Sequence, residues 1–306
     1  MRKSGFLSLT LLAGTLAVTF NGTPNYSITN IPLPAEMDKQ VCISGLVYNN
    51  GHLYFASERC PIVIETDPAG KILNTHTMNV PQEFEMEGIT TYKNKLYLIS
   101  ENVAALYEFD PATATFRQVG TGSPLPGKTK NGDGMEGIAA NAKNGRFYLL
   151  RERNEERTAS QIFTYVVKEM QGTISLELET SIQFPLENSQ WRYSDICYDE
   201  INSRLILLKS YSKGKTRQQF IETLEISAEG KLQAETKKDL PVANFSSISN
   251  QYKNQDYSMN LEGITQDAQG NFFIVSDNTS GKARCDEPAQ EKTILLMLRK
   301  DQAAKE

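Results

Sequence analysis

Carboxylates recur in this chain in a spacing that suits cation chemistry. The tripeptide Glu-Gly-Ile appears at Glu87-Gly88-Ile89, Glu136-Gly137-Ile138 and Glu262-Gly263-Ile264. Ser44-Gly45-Leu46 and Ser194-Asp195-Ile196 stand in the same relation to their surroundings, so the pattern repeats five times. Each copy is followed by a turn and an apolar run that stops at a second polar position: Glu58, Glu101, Glu152, Ser210 and Asp277. Carboxylates crowded together at low dielectric repel strongly. They then take up protons or hold a cation among them. A hard divalent cation with oxygen ligands is the economical answer, and Ca²⁺ is expected. The expected metal ligands are Glu87, Glu136, Glu262 and Asp195, with Glu58, Glu101, Glu152 and Asp277 as a second set facing a bound ligand. A packing role for Glu-Gly-Ile, with Gly at a close backbone approach and Ile in the core, is the alternative.

Other chemistries find little support. Only 2 histidines stand against 37 Asp+Glu, which removes a His-rich zinc centre, a His-Glu-x-x-His metalloprotease and a His-paired nucleophile. No Gly-x-Ser-x-Gly elbow is present. A net charge of −5 argues against general nucleic-acid binding.

The elements that position these residues are strands. Turn signals separate paired apolar runs at Asn49-Asn50-Gly51, Lys93-Asn94-Lys95, Lys143-Asn144-Gly145, Glu200-Ile201-Asn202 and Ala268-Gln269-Gly270. A third run follows, for example 61–66 and 104–110, then a second turn such as Asp67-Pro68-Ala69-Gly70 and a fourth run. Four antiparallel strands per repeat of about 40–50 residues predict an all-β, five-bladed β-propeller. The last repeat lacks its fourth strand, and the lone run at 26–31 is expected to supply it and close the ring. A six-bladed ring is the alternative, with a degenerate blade in 153–193. Antiparallel pairing sets the start of each first strand beside the end of the second, so both acidic sets fall at one end of the channel. Arg151, Lys209, Arg192 and the Lys128/Lys130 loop are expected around that mouth, where they would receive a small anionic ligand or a protein partner. Charged residues also populate exposed loops without function.

The repeated Glu-Gly-Ile, the Ser-Gly-Leu at 44, the Ser-Asp-Ile at 194 and the strand-ending Ser-Glu at 57 and 100 resemble the SdiA-regulated family. They are also similar to the wider set of phytase-like propeller proteins with esterase-like activity. The resemblance spans roughly 26–298. It implies a five-bladed propeller with a calcium site in the first group, and phosphate-ester hydrolysis in the second. Serine in place of Glu at 44 and 194 departs from a full ligand set. Two readings follow: a Ca²⁺-binding propeller that holds a ligand or partner, and a metal-dependent phosphate-ester hydrolase in which a channel Glu activates water. A carbohydrate or lactone hydrolase is a third.

The N-terminus is expected to be a targeting segment. Arg2 and Lys3 precede an apolar run over 6–20 and the polar Asn21-Gly22-Thr23, which reads as a secretory signal peptide over 1–22. Residues 23–306 then form one propeller domain, secreted or periplasmic and without membrane contact after cleavage. An uncleaved anchor is the alternative. In an oxidising compartment a Cys42–Cys60 bridge is expected across a hairpin, with Cys60–Cys285 as the rival pairing.

Overall fold

The computed structural model describes residues 26–39, 41–80, 84–170, 172–214, 216–240, 252, 256–278, 285 and 287–300; the signal segment lies outside the described residues. Hairpin turns follow the backbone chemistry expected of them. Asn50 and Gly51 both take positive φ (50° and 88°), as do Lys93 and Asn94 (51° and 64°).

Strand β1 is Tyr26–Ile31. Blade one is β2 (Ile43–Asn49), β3 (His52–Ser57), β4 (Ile62–Thr66) and β5 (Ile72–Thr77). Blade two is β6 (Met86–Tyr92), β7 (Lys95–Ser100), β8 (Ala105–Asp110) and β9 (Thr115–Gln118). Blade three combines the short β10 (Gly120–Thr121) with β11 (Met135–Asn141), β12 (Arg146–Arg151), β13 (Ala159–Met170) and β14 (Thr173–Pro185). Blade four is β15 (Trp191–Asp199), β16 (Arg204–Lys213), β17 (Thr216–Glu225) and β18 (Lys238–Asp239). Blade five is β19 (Asn260–Gln266), β20 (Phe272–Asp277) and β21 (Leu295–Lys300), completed by β1. The β1–β21 register runs from Tyr26↔Lys300 to Ile31↔Leu295, so the N-terminal strand closes the ring. The 153–193 stretch supplies the long β13–β14 hairpin of blade three, and the ring has five blades.

The apolar core is divided into layers between neighbouring blades. One cluster joins Ala56 and Val63 of blade one to Leu98 and Phe109 of blade two, and four others fill the remaining blade interfaces. Toward the axis the backbones close in. A Cβ on Gly45 would lie 2.9 Å from the Glu87 carbonyl oxygen, and one on Gly263 would lie 2.9 Å from the Leu46 nitrogen. The glycine of the repeated motif is therefore a packing requirement of the inner ring.

The disulfide joins Cys60 to Cys285, with Cα atoms 5.5 Å apart, which is the rival pairing and overturns the Cys42–Cys60 one. The Glu58 amide donates to the Cys42 carbonyl (2.7 Å), so Glu58, not Cys60, stands across the hairpin from Cys42. Cys60 lies two residues further on, where the β20–β21 connection of blade five passes. The bridge staples the seam at which the ring closes. Among the described residues no helix is long and apolar enough to cross a membrane.

Candidate functional site

Every innermost strand carries a β-bulge, and each bulge falls on the repeated motif. The pairing shifts between Ile43 and Gly45, Met86 and Gly88, Met135 and Gly137, Tyr193 and Asp195, and Leu261 and Gly263. The residue skipped in each case is Ser44, Glu87, Glu136, Ser194 or Glu262. A bulge frees its extra residue from the ladder and re-aims the side chain. This is how three separate strands point a Glu at the channel mouth.

The strand-two ends bring Glu58, Glu101, Glu152 and Asp277 to the same end. A third contributor is the residue two before each bulge, whose carbonyl accepts the amide of the strand-two acid: Cys42 from Glu58, Glu85 from Glu101, Gly134 from Glu152. In blade two this position is Glu85, which the sequence reading missed, and in blade four it is Arg192. In blade three it is Gly134, where a Cβ would overlap the Glu101 side chain. Among the described residues, Glu58, Glu85 and Glu87 each bring one carboxylate oxygen within 4.8 Å of the others.

Burial and mutual repulsion set the protonation of this cluster. Burial pushes Glu87 well above the usual carboxylate range, and the charges of Glu136, Glu58, Glu101 and Glu262 push it further. Glu136 is raised in the same way, by burial and by Glu152, with Arg192 opposing. Burial also raises Glu58, with Arg59 pulling the other way. Glu101 is pushed up to about 7 by burial, against the pull of Lys128. Glu262 is likewise pushed up to about 7, against the pull of Arg192.

Two basic side chains reach into the mouth. Lys128 Nζ lies 3.0 Å from Glu85 Oε2 and 2.5 Å from Glu101 Oε2. Arg192 donates from Nη1 to Glu152 Oε2 (3.2 Å) and from Nη2 to Glu262 Oε1. Burial alone would weaken the Arg192 guanidinium as a base, but Glu262, Glu152 and Glu136 hold it firmly charged. At the edge, Arg153 links Glu152 (3.1 Å) to Asp133 (2.7 Å), and Arg59 contacts Glu58 (3.1 Å).

Other expected site residues sit elsewhere. Asp195 replaces the motif glycine, and its carboxylate accepts from the Ile196 and Ile264 amides, both at 2.8 Å, linking blade four to blade five. Ser194 Oγ donates to the Leu261 carbonyl (3.0 Å) and Ser44 Oγ to the Met86 carbonyl, so these two bulge serines tie adjacent blades. Arg151 and Lys209 each stand one residue before the mouth position, Glu152 and Ser210, and successive side chains on a strand face opposite ways. Arg151 accordingly donates to the Gly127 carbonyl (3.1 Å) and lies 5.3 Å over the Phe163 ring. Lys209 is buried against blade three, 2.5 Å from Glu187 Oε1 and 3.0 Å from Glu222 Oε1, and 4.9 Å over Trp191. His52 opens β3 at the end away from the mouth and His76 lies in the outermost strand β5, where His52 Nδ1 (2.5 Å) and His76 Nε2 (3.0 Å) both contact Glu65.

The family model described as "Phytase-like: Esterase-like activity of phytase" matches residues 43–279. That match bears on the phytase-like half of the resemblance; the SdiA-regulated half rests on the motifs alone. Comparison with curated proteins finds no match. Among solved structures the chain is similar to a glutaminyl cyclase of Myxococcus xanthus, at 14% identity and a TM-score of 0.51, over 92% of this chain and 100% of that one. It is also similar to the PQQ-bound aldose sugar dehydrogenase of Streptomyces coelicolor, at 12% identity and 0.47, over 90% and 98% of the two chains. A virginiamycin B lyase of Staphylococcus aureus follows at 11% identity and 0.40, over 89% and 99%. At such identities the likeness is one of fold.

Proposed function

The chain belongs to the phytase-like family, and on that premise we propose that it is an exported propeller that binds Ca²⁺ at its axial carboxylates and presents it to a small anionic ligand or a protein partner. The observation that carries this reading is the convergence of Glu58, Glu85 and Glu87 within 4.8 Å. Oxygens on one Ca²⁺ at about 2.3–2.6 Å can lie no more than about 5 Å apart. The donor set is all oxygen, as a hard cation requires. Glu136 and Glu101, whose charges act on Glu87, border the same site. When bound, the cation would neutralise these carboxylates and polarise an anionic oxygen. Lys128 bridges Glu101 and Glu85, Arg192 holds Glu262, and Arg59 touches Glu58, so a cation here would share Glu85 and Glu58 with those bases. The disulfide supports an oxidising compartment, in keeping with export. Metal analysis of the mature protein tests the reading: stoichiometric Ca²⁺ is expected, and a metal-free protein after dialysis against Ca²⁺ would overturn it.

A metal-dependent phosphate-ester hydrolase is the second reading, favoured by Glu262. A carboxyl near 7 that touches a guanidinium can exchange a proton at neutral pH beside a group suited to phosphate oxygens. Turnover of a phosphomonoester or phosphodiester with Ca²⁺, lost in Glu262→Gln, is the expected result of that reading. Equal turnover in the variant would remove Glu262 from the reaction.

A further inference from the structure

Blade four departs from its neighbours at every position that builds the mouth. Its bulge residue is Ser194, turned to the Leu261 carbonyl. Its strand-two end is Ser210, where the other blades have Glu58, Glu101, Glu152 and Asp277. Two residues before the bulge it carries Arg192, where blade two has Glu85. Together these changes turn one sector of an acidic ring into one made of a guanidinium and a hydroxyl.

Ser210 is only 5% exposed, and its Oγ has no hydrogen-bond partner among the described residues. A buried hydroxyl in that state is costly unless something else meets it. Ser210 pairs with Arg192 across β15 and β16, so both side chains rise from the same face of the sheet. Gln219, the next residue across the sheet, directs its amide to the Met259 carbonyl (2.6 Å). The guanidinium is clamped between Glu152 of blade three and Glu262 of blade five. It carries five N–H donors, of which these two ion pairs use one on each terminal nitrogen. Glu262 also feels the charge of Glu58, so this sector and the acidic one border a common mouth.

We propose that Arg192 and Ser210 form an oxyanion-binding sector, with one ligand oxygen accepting from both. A second oxygen of the same group would face the cation held by blades one and two. The ligand class is a group that shares negative charge over several oxygens, a phosphate or a carboxylate. A second cation is disfavoured beside Arg192, whose remaining N–H groups can donate but cannot accept. This inference rests on the cation reading for the far side of the ligand and on blade four alone for the near side.

Calorimetric titration of the mature protein with inorganic phosphate and with acetate, each with and without Ca²⁺, tests it. Ser210→Asp restores the acid of the other blades and sets a like charge against the anion. It is expected to keep the Ca²⁺-induced rise in melting temperature and to weaken anion binding about tenfold or more. Ser210→Ala, which is sterically mild, should weaken it less. Loss of either anion in Ser210→Asp supports the sector, and phosphate binding in preference to acetate assigns the group. Wild-type affinity in Ser210→Asp, or no binding of either anion to the Ca²⁺-loaded wild type, overturns it. Anion binding that is Ca²⁺-independent yet lost in Ser210→Asp keeps the sector and sinks only the cation reading.

Discussion

Two buried charge clusters in this propeller are built in opposite ways. Between blades three and four, a single carboxylate, Glu222, is held by Lys209 (3.0 Å), Lys237 (3.0 Å) and the Tyr193 hydroxyl. Burial would raise its pKa, but Tyr193 and the two ammonium groups overcome that and hold it below the usual range. At the axis, burial raises Glu87 and Glu136, and the like charges around them push them further in the same direction. The first cluster closes its own charge balance with residues of this chain and acts as a brace. The second has more carboxylate than Lys128 and Arg192 offset, so its acids are raised and take up protons or, on our proposal, a cation.

The comparison breaks most visibly at the brace. Glu222→Leu leaves Lys237 without its anion and Lys209 with Glu187 alone, and should cost about 3–5 kcal/mol in denaturant unfolding, with no recovery on adding Ca²⁺. A loss below about 1 kcal/mol would show that the brace carries little of the blade contact. Acidity sharpens the contrast, because the two clusters have opposite signs. Glu222, depressed in the folded state, contributes stability that is lost as the pH falls through its folded value. Glu101 and Glu262, raised from 4.5 to about 7, keep protons that the unfolded chain releases. Their effect is to lower the stability of the metal-free protein as the pH rises from 4.5 through about 7, and Ca²⁺ should flatten that decline. Melting temperatures across this range, with and without Ca²⁺, check both limbs; parallel curves would contradict the contrast. The smallest expected effect on metal-free stability is at Glu87 itself. Burial and the neighbouring carboxylates favour its neutral form, so Glu87→Gln should alter metal-free stability by less than about 1 kcal/mol while removing the response to Ca²⁺. A full response in that variant would take Glu87 out of the site.

Much of this was legible in the residues. Five copies of one strand pattern predict five blades, and the missing last strand predicts closure by 26–31, because repeat arithmetic survives without side-chain detail. The shared end of Glu58, Glu87, Glu101, Glu136, Glu152 and Glu262 follows from antiparallel pairing alone. The bulge does not: an extra residue in a ladder leaves no mark in hydrophobic alternation, yet it is what turns Glu87 toward the axis and Asp195 toward the Ile264 amide. Arg151 and Lys209 miss the mouth by one residue of strand parity, which their adjacency to Glu152 and Ser210 already implies. Arg192 is expected at the mouth from the sequence, and Glu85 could have been found with it, since both stand two residues before the repeated motif. The Cys60–Cys285 bridge spans a separation of 225 residues, and only the closed ring brings blade five beside blade one.

On our proposal, a divalent cation completes the axial cluster. Thermal unfolding of the chelator-stripped protein at neutral pH, with Ca²⁺ added and then removed, tests it most directly. A free concentration of about 100 times the dissociation constant should stabilise the fold by about 2.7 kcal/mol, seen as a melting temperature that rises with Ca²⁺ and returns with chelator. A melting temperature unmoved by millimolar Ca²⁺ would contradict it.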